Sequence, residues 1–312
     1  MNISVTVFGK VNIDTFLYID KLRIGENHLC LKTFTDIGGK GANTAIALAK
    51  LNVPCELVAT VGNDSISQTA LKRLEKFGVG ISSIKSCEEQ IGKTFIVVES
   101  GGRNTMFHIL GANAYLTPEK VDWTFLESCA AVFVQLGIPA ETAQEVIMMS
   151  KRNGKYVFVD PAGFSESTDL QILAYADTVA PNEVELLKIT RETEIEKAVK
   201  KLLNIGVEEV LVKLGRRGAN LYTEKASYHV DAFDVEVVDT TGAGDAFNAA
   251  YIFAKLNKFE LRDALKLAVA ASALVVTKVG SSSASPTREK LVEFLKLKGE
   301  ERLAKAVLEG ST

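Results

Sequence analysis

The chain has 312 residues, 47% hydrophobic and 24% charged, which fits one large globular core and excludes a disordered, collagenous or coiled-coil architecture. A net charge of −3 leaves no basic excess to neutralise a phosphate backbone, so nucleic acid is not an expected partner. The longest run free of Lys, Arg, Asp and Glu, Asn104 to Pro118, is shorter than the ~20 residues of a membrane span, so no membrane partner is expected either.

In chain order, Ser4–Phe8 is a β-branched run ending at Gly9 and reads as a buried strand, not a signal peptide. Phe16–Ile19 and His28–Phe34 are extended but more polar. Ala42–Leu51 suits a helix, Glu56–Val61 a strand, and Ser67–Phe77 a helix closed by Gly78. Thr94–Glu99 and Thr105–Ile109 form a candidate hairpin turning at Gly101-Gly102. Strands follow at Ala130–Gln135, Lys155–Asp160, Asp177–Ala180 and Glu209–Leu214. Helices fall at Ala140–Arg152, Glu183–Ile189 and Glu194–Leu203. Gly218–Tyr222 and Ser227–Val230 read as a second hairpin, and Phe233–Val238 as β-rich. Helices then cover Gly242–Leu256, Leu261–Thr277 and Arg288–Leu297. This alternation predicts an α/β domain whose parallel sheet is covered on both faces, a single domain over residues 1–312. The two polar interruptions, roughly 15–34 and 94–109, can meet as a small sheet over its edge. Four cysteines (Cys30, Cys55, Cys87, Cys129) without CxxC spacing fit reduced thiols and a cytoplasmic setting, and three scattered histidines suggest no metal site.

Four segments can carry chemistry. In Asp239-Thr240-Thr241-Gly242-Ala243-Gly244-Asp245 the glycines permit a tight turn, and the helix that follows adds positive partial charge to its free N–H groups, so an anion can be held there. A carboxylate at Asp245 beside such a site fits a base taking a proton from a nucleophile, or, more plainly, a first-turn helix stabiliser. Gly38-Gly39-Lys40-Gly41-Ala42-Asn43 permits close backbone approach and offers an amide for sugar hydroxyls, or is a plain glycine turn. Asn12-x-Asp14 follows the first strand, where open α/β sheets bind ligands, and is otherwise an Asx turn. Asn182 and Glu185 share a face at a helix start, where they can orient water around Mg²⁺ on phosphates or simply cap the helix. Neither a dinucleotide fingerprint nor a Walker A loop is present, which counts against a nicotinamide oxidoreductase.

In this order and spacing, GGKGANTAIALAKL (Gly38–Leu51) and DTTGAGDAFNAAYI (Asp239–Ile252), with GNDSISQ, GANAYLTPE, PNEVE and KLGRRG, resemble the signatures of the ribokinase (phosphofructokinase-B) family of carbohydrate kinases, from Met1 to about Leu297. The resemblance implies a doubly wound, mostly parallel Rossmann-like sheet with a β lid that often makes a homodimer contact. It also implies ATP and Mg²⁺ as cofactors, K⁺ in some members, and a small, ribose-like sugar as substrate. Asp245 would be the base, and the amides of Gly242, Ala243 and Gly244 the anion hole. Asn12, Asp14, Gly39, Lys40 and Asn43 would hold the sugar. Asn182, Lys213, Gly215 and Gly218 would hold the nucleotide. Glu185 would bind Mg²⁺ through water, and Asp239, Thr241 and Ser285 a monovalent cation. Ribokinases usually carry an acid after the Gln-Leu ending the fifth core strand; here Gln135-Leu136 is followed by Gly137, which predicts a wider, less polar wall. A nucleoside, fructose or sugar-acid kinase of the same family, or a non-catalytic sugar or nucleotide sensor, are the alternatives.

Overall fold

A computed structural model describes residues 4–101, 103–164 and 168–310. The first strand, β1 (Val5–Phe8), is buried along its whole length, as a central parallel strand must be. The chain continues through β2 (Asn12–Ile19), β3 (Lys32–Gly38), α1 (Lys40–Lys50), β4 (Cys55–Val58), β5 (Thr60–Gly62), α2 (Ser65–Lys76), β6 (Lys85–Cys87), β7 (Gly92–Glu99) and β8 (Asn104–Ile109). Then come α3 (Phe125–Ser128), β9 (Ala131–Gln135), α4 (Ala140–Arg152), β10 (Tyr156–Asp160), β11 (Thr178–Val179), α5 (Glu183–Thr190), α6 (Ile195–Ile205) and β12 (Glu209–Lys213). The chain closes with β13 (Ala219–Tyr222), β14 (Ser227–Val230), α7 (Ala243–Leu256), α8 (Leu261–Val275), α9 (Arg288–Leu297) and α10 (Glu301–Glu309).

Eight strands form the main sheet in the order β14-β13-β12-β11-β10-β9-β1-β4. Pairing is parallel from β12 to β4, and β13 and β14 add an antiparallel edge. Alternate residues sort to opposite faces. Val5, Val7, Phe133, Phe158 and Leu211 pack with α1, α7 and α8, while Phe8, Val132, Val157 and Val210 pack with α4, α5 and α6. The chain leaves β1 to make β4 on one side and later returns to make β9 on the other. The crevice beyond the carboxyl ends of β1 and β9 is therefore the switch point where such sheets bind ligands.

The two interruptions do meet, as a four-stranded sheet in the order β3-β2-β7-β8. Its strands begin earlier than the sequence suggested, at Asn12 and Gly92, and the join between β2 and β7 is parallel. Asn12 and Asp14 consequently lie on a strand, not in an Asx turn, and alternation places them on the buried face with Phe16. His28–Leu31 is not strand, and Gly102 of the expected hairpin turn lies outside the described residues. The expected strand Glu56–Val61 is divided at Ala59, and β6, α3 and α10 were not anticipated. Phe233–Val238 is irregular, because α8 and not a neighbouring strand accompanies it: the amides of Val238 and Asp239 both donate to the Val276 carbonyl. Among the described residues no helix is long and apolar enough to cross a membrane.

Candidate active site

Three close backbone approaches build the crevice. Gly9 and Gly41 pack so tightly that a methyl group on either would lie 2.5 Å from the other's Cα, which locks the end of β1 against the start of α1. Gly39 has φ +87°, and a methyl there would lie 2.3 Å from the Lys10 carbonyl, which accepts the Ala42 N–H at 3.1 Å. Gly38 is bare because the Asp14 carboxylate fills the space a Cβ would take.

On this frame α1 and α7 bring two motifs together. Asn43 Nδ2 donates to Asp245 Oδ2 at 2.8 Å, and both residues are buried. Asp245 Oδ1 and Asn43 Oδ1 are buried with no hydrogen-bond partner among the described residues, so two acceptors are left without a donor. Burial raises the Asp245 pKa; Lys40, with Nζ 3.6 Å from Oδ1, opposes the rise. The same Lys40 Nζ lies 3.8 Å from Asp160 Oδ2, and Lys213 Nζ lies 3.6 Å from that oxygen. Desolvation lowers the Lys40 pKa, but Asp160, Asp245 and Glu185 hold it well above the usual lysine range. Asp160 is itself desolvated, yet Lys213, Lys40 and a bond from Asn248 Nδ2 at 2.6 Å keep it below the ordinary carboxylate value.

At the start of α7 no side chain caps the helix. The N–H groups of Gly242 and Gly244 have no partner among the described residues, whereas Ala243 N–H donates weakly to the Thr240 carbonyl at 3.3 Å. The expected three-amide hole thus has two free donors and one partly engaged. Gly242 requires glycine, with φ +79° and a would-be Cβ 2.8 Å from the Ser281 carbonyl. A methyl on Gly244 would meet only the Lys213 side chain at 3.7 Å, so the space above Gly244 is open.

A cavity of about 840 Å³ adjoins these donors. Asn182, Glu185, Lys213 and the Gly215–Gly218 turn form one side; the irregular Phe233–Val237 segment and α8 supply an apolar wall through Val235, Val269 and Ala273. Asn182 and Glu185 form a reciprocal helix cap, Asn182 Oδ1 accepting from Glu185 N–H at 2.8 Å and Glu185 Oε2 from Asn182 N–H at 2.9 Å. The cap and the groove-lining position coexist, since Glu185 Oε1 keeps no partner among the described residues.

These features coincide with a family. The pattern of the pfkB family carbohydrate kinases matches residues 2–288. The chain belongs to that family. It is similar to the ribokinase of Staphylococcus aureus, 32% identical over 305 residues covering 93% of this chain and 99% of the relative. It is also similar to the deoxyribokinase of Salmonella typhi, 31% identical over 304 residues covering 94% and 99%. Among solved structures it resembles the Thermotoga maritima ribokinase (TM-score 0.87, 34% identity, 94% and 99% covered). The Arabidopsis thaliana ribokinase complexed with ribose and ATP superposes equally well (TM-score 0.87, 32% identity, 95% and 99% covered). The fold is ribokinase-like and the chain is a sugar kinase, a phosphotransferase acting on an alcohol group.

Several expected residues of this carbohydrate kinase take other positions. Asn12 commits its side chain to the lid, Oδ1 accepting from Asn113 Nδ2 at 2.8 Å and Nδ2 donating to Thr94 Oγ1 at 3.1 Å, so it is a brace and not a free sugar clasp. Asp239 Oδ1 accepts from Thr241 N–H and Oγ, and Oδ2 from Gly280 N–H, which places Asp239 and Thr241 together. The Ser285 carbonyl, with those of Ser282 and Ser283, accepts from Lys50 Nζ at 2.9–3.1 Å, while its buried Oγ has no hydrogen-bond partner among the described residues. The wall at Gly137 is not wider, because the Gln135 amide and the end of the Lys10 side chain lie across it.

Sequence reasoning missed Asp36. Fully buried on β3, it accepts from Arg73 Nη2 at 2.8 Å, Ser283 Oγ at 2.8 Å and Ser283 N–H at 3.2 Å, tying the lid to α2 and to the 278–285 segment behind Gly242. Asn113 was legible only as part of GANAYLTPE and Asn248 only as part of DTTGAGDAFNAAYI, and Asp160 carried no local signal.

Proposed function

We propose that the chain transfers the γ-phosphoryl of ATP to a hydroxyl of a small sugar held between the β lid and the carboxyl ends of β1 and β9. The observation that carries this reading is the buried Asp245 carboxylate, whose Oδ1 accepts no hydrogen bond among the described residues and has the Lys40 ammonium beside it, one residue from the open N–H of Gly244. Asp245 takes the hydroxyl proton; the sugar oxygen bonds to the γ-phosphorus as the bond to the ADP oxygen breaks. The free amides of Gly242 and Gly244, with Ala243 beside them, and the ammonium groups of Lys40 and Lys213 meet the charge on the phosphoryl oxygens. Asp14, Gly39 and Asn43 supply sugar contacts, and Asn182, Lys213, Gly215 and Gly218 the nucleotide groove.

No group of three or more His, Cys, Asp or Glu able to hold a metal occurs among the described residues. That suits Mg²⁺ held mainly by ATP phosphates and water, with Glu185 Oε1 as an outer anchor; bound there, Mg²⁺ supplies charge neutralisation. Asp239, the Thr241 carbonyl and Ser285, whose buried Oγ has no hydrogen-bond partner among the described residues, are the proposed K⁺ contacts. Exposed apolar residues on the lid side, Leu29, Leu31, Phe107 and Ile109, support a homodimer through the lid. ATP supply and four free cysteines support a cytoplasmic setting.

ADP release over a panel of sugars and nucleosides, with ATP and Mg²⁺, tests the reading. At least one sugar should turn over, and Asp245→Asn should lower kcat by roughly 10²–10⁴-fold with sugar binding kept. A variant of near-normal kcat would remove Asp245 as the base.

A further inference from the structure

Among the described residues Lys10 is the one substantially buried lysine of the crevice that makes no ion pair. Its backbone is clamped: its N–H donates to Gln135 Oε1 at 3.4 Å, and its carbonyl accepts from Ala42. The side chain runs over Gly137, where a Cβ would lie 2.9 Å from Lys10 Cε and 3.0 Å from Nζ. The space a side chain at 137 would take is thus filled by the Gln135 amide and, beside it, by the end of the lysine. Other part-buried lysines have partners: Lys40 and Lys213 have Asp160, Lys255 has Glu209 at 2.7 Å, and Lys50 has three carbonyls. Lys10 Nζ has neither an ion pair nor a hydrogen bond among the described residues.

Its titratable neighbours are Lys40, Asp14 and, on lid strand β8, His108. Burial and the Lys40 charge lower the Lys10 pKa, and Asp14 only partly offsets them. Asp14 does not neutralise it, because burial keeps that carboxyl protonated up to about 7. An ammonium in this state is costly and is relieved by any anion that enters. The anion is not the nucleotide's phosphate chain: Lys40 and Lys213 line the nucleotide groove, and Lys10 does not.

We propose that Lys10, laid over Gly137, is the specificity-determining residue of the sugar pocket and pairs with an anionic substituent of the substrate, a carboxylate or a phosphate monoester. The assignment rests on the sugar-kinase reading above and narrows its substrate class. A neutral sugar leaves the ammonium desolvated and unpaired, and a site built around a buried polar group discriminates against ligands that leave it so.

The test is calorimetric binding, without turnover, of three sets: ribose and fructose; ribonate and 2-keto-3-deoxygluconate; ribose 5-phosphate and fructose 6-phosphate. Wild type should bind at least one anionic sugar roughly 10- to 100-fold more tightly than its neutral counterpart, the usual worth of a charge-assisted hydrogen bond. The second set identifies a carboxylate ligand and the third a phosphate. Lys10→Met should level the anionic and neutral affinities, and Lys10→Arg should keep the preference. Equal affinities in wild type, a preference that survives Lys10→Met, or a Lys10→Met effect confined to ATP would overturn the assignment. An anionic preference without ADP release from any compound would refute the kinase reading and leave Lys10's role standing.

Discussion

Replacing Asp14 with Asn should make the free protein more stable above neutral pH while weakening its grip on sugar. Asp14 is 5% exposed, and burial, with the Asp36 and Asp245 charges adding to it, raises its carboxyl pKa from 3.8 to about 7 against hydrogen bonds from Thr94 and Ser281. From about pH 4 to about pH 7 the folded chain retains a proton that the unfolded chain has released. Its contribution to stability is therefore complete below about pH 4 and is lost as pH rises through about 7. Some three pH units at about 1.4 kcal/mol each set a ceiling of about 4 kcal/mol, a large share of the ~5–15 kcal/mol that holds a domain folded. Urea unfolding of both proteins at several pH values checks this. The Asp14→Asn protein should match wild type near pH 4 and exceed it by up to about 4 kcal/mol near pH 8. Stability curves that run parallel from about pH 4 to about pH 8 would refute the reasoning.

Gly242→Ala should strain the left-handed turn and press on the Ser281 carbonyl, lowering kcat at least ~10-fold with sugar affinity kept; an unchanged kcat would mean that the Gly242 turn is not needed for transfer. Chelating Mg²⁺ should abolish turnover, and K⁺ should raise the rate above that in Na⁺ or a bulky organic cation; equal rates in all three would remove the K⁺ contact at Asp239. Hydrogen exchange in β2, β7 and β8 should slow when sugar binds, and unchanged protection would make the sheet a fixed cover. Sedimentation should give a dimer that Phe107→Glu converts to a monomer, whereas a monomeric wild type would leave Leu29, Leu31 and Ile109 exposed for another reason.

Much of this protein is local and therefore written in its sequence. Alternating buried strands and amphipathic helices carry their own periods, so the sheet, its helical cover and the two insertions could be read, with errors mainly at element ends. The turns at Gly39 and Gly242 were legible because a left-handed backbone before a helix selects glycine. Asp245 was legible because it sits in the first turn after such a glycine. Contacts between distant segments have no period, and only the tertiary structure decided them. Asn12 became a brace because Asn113 reaches it from another loop. Ser285 was drawn to Lys50, and Asp36 became a hub through Arg73 and Ser283. Phe233–Val238 has β composition, but α8 and not a strand lies beside it, so it became a groove wall. The sequence shows Gly137 as a missing side chain; the fold alone shows the Gln135 amide and the Lys10 ammonium in its place, because the ends of β1 and β9 adjoin only once the sheet is assembled.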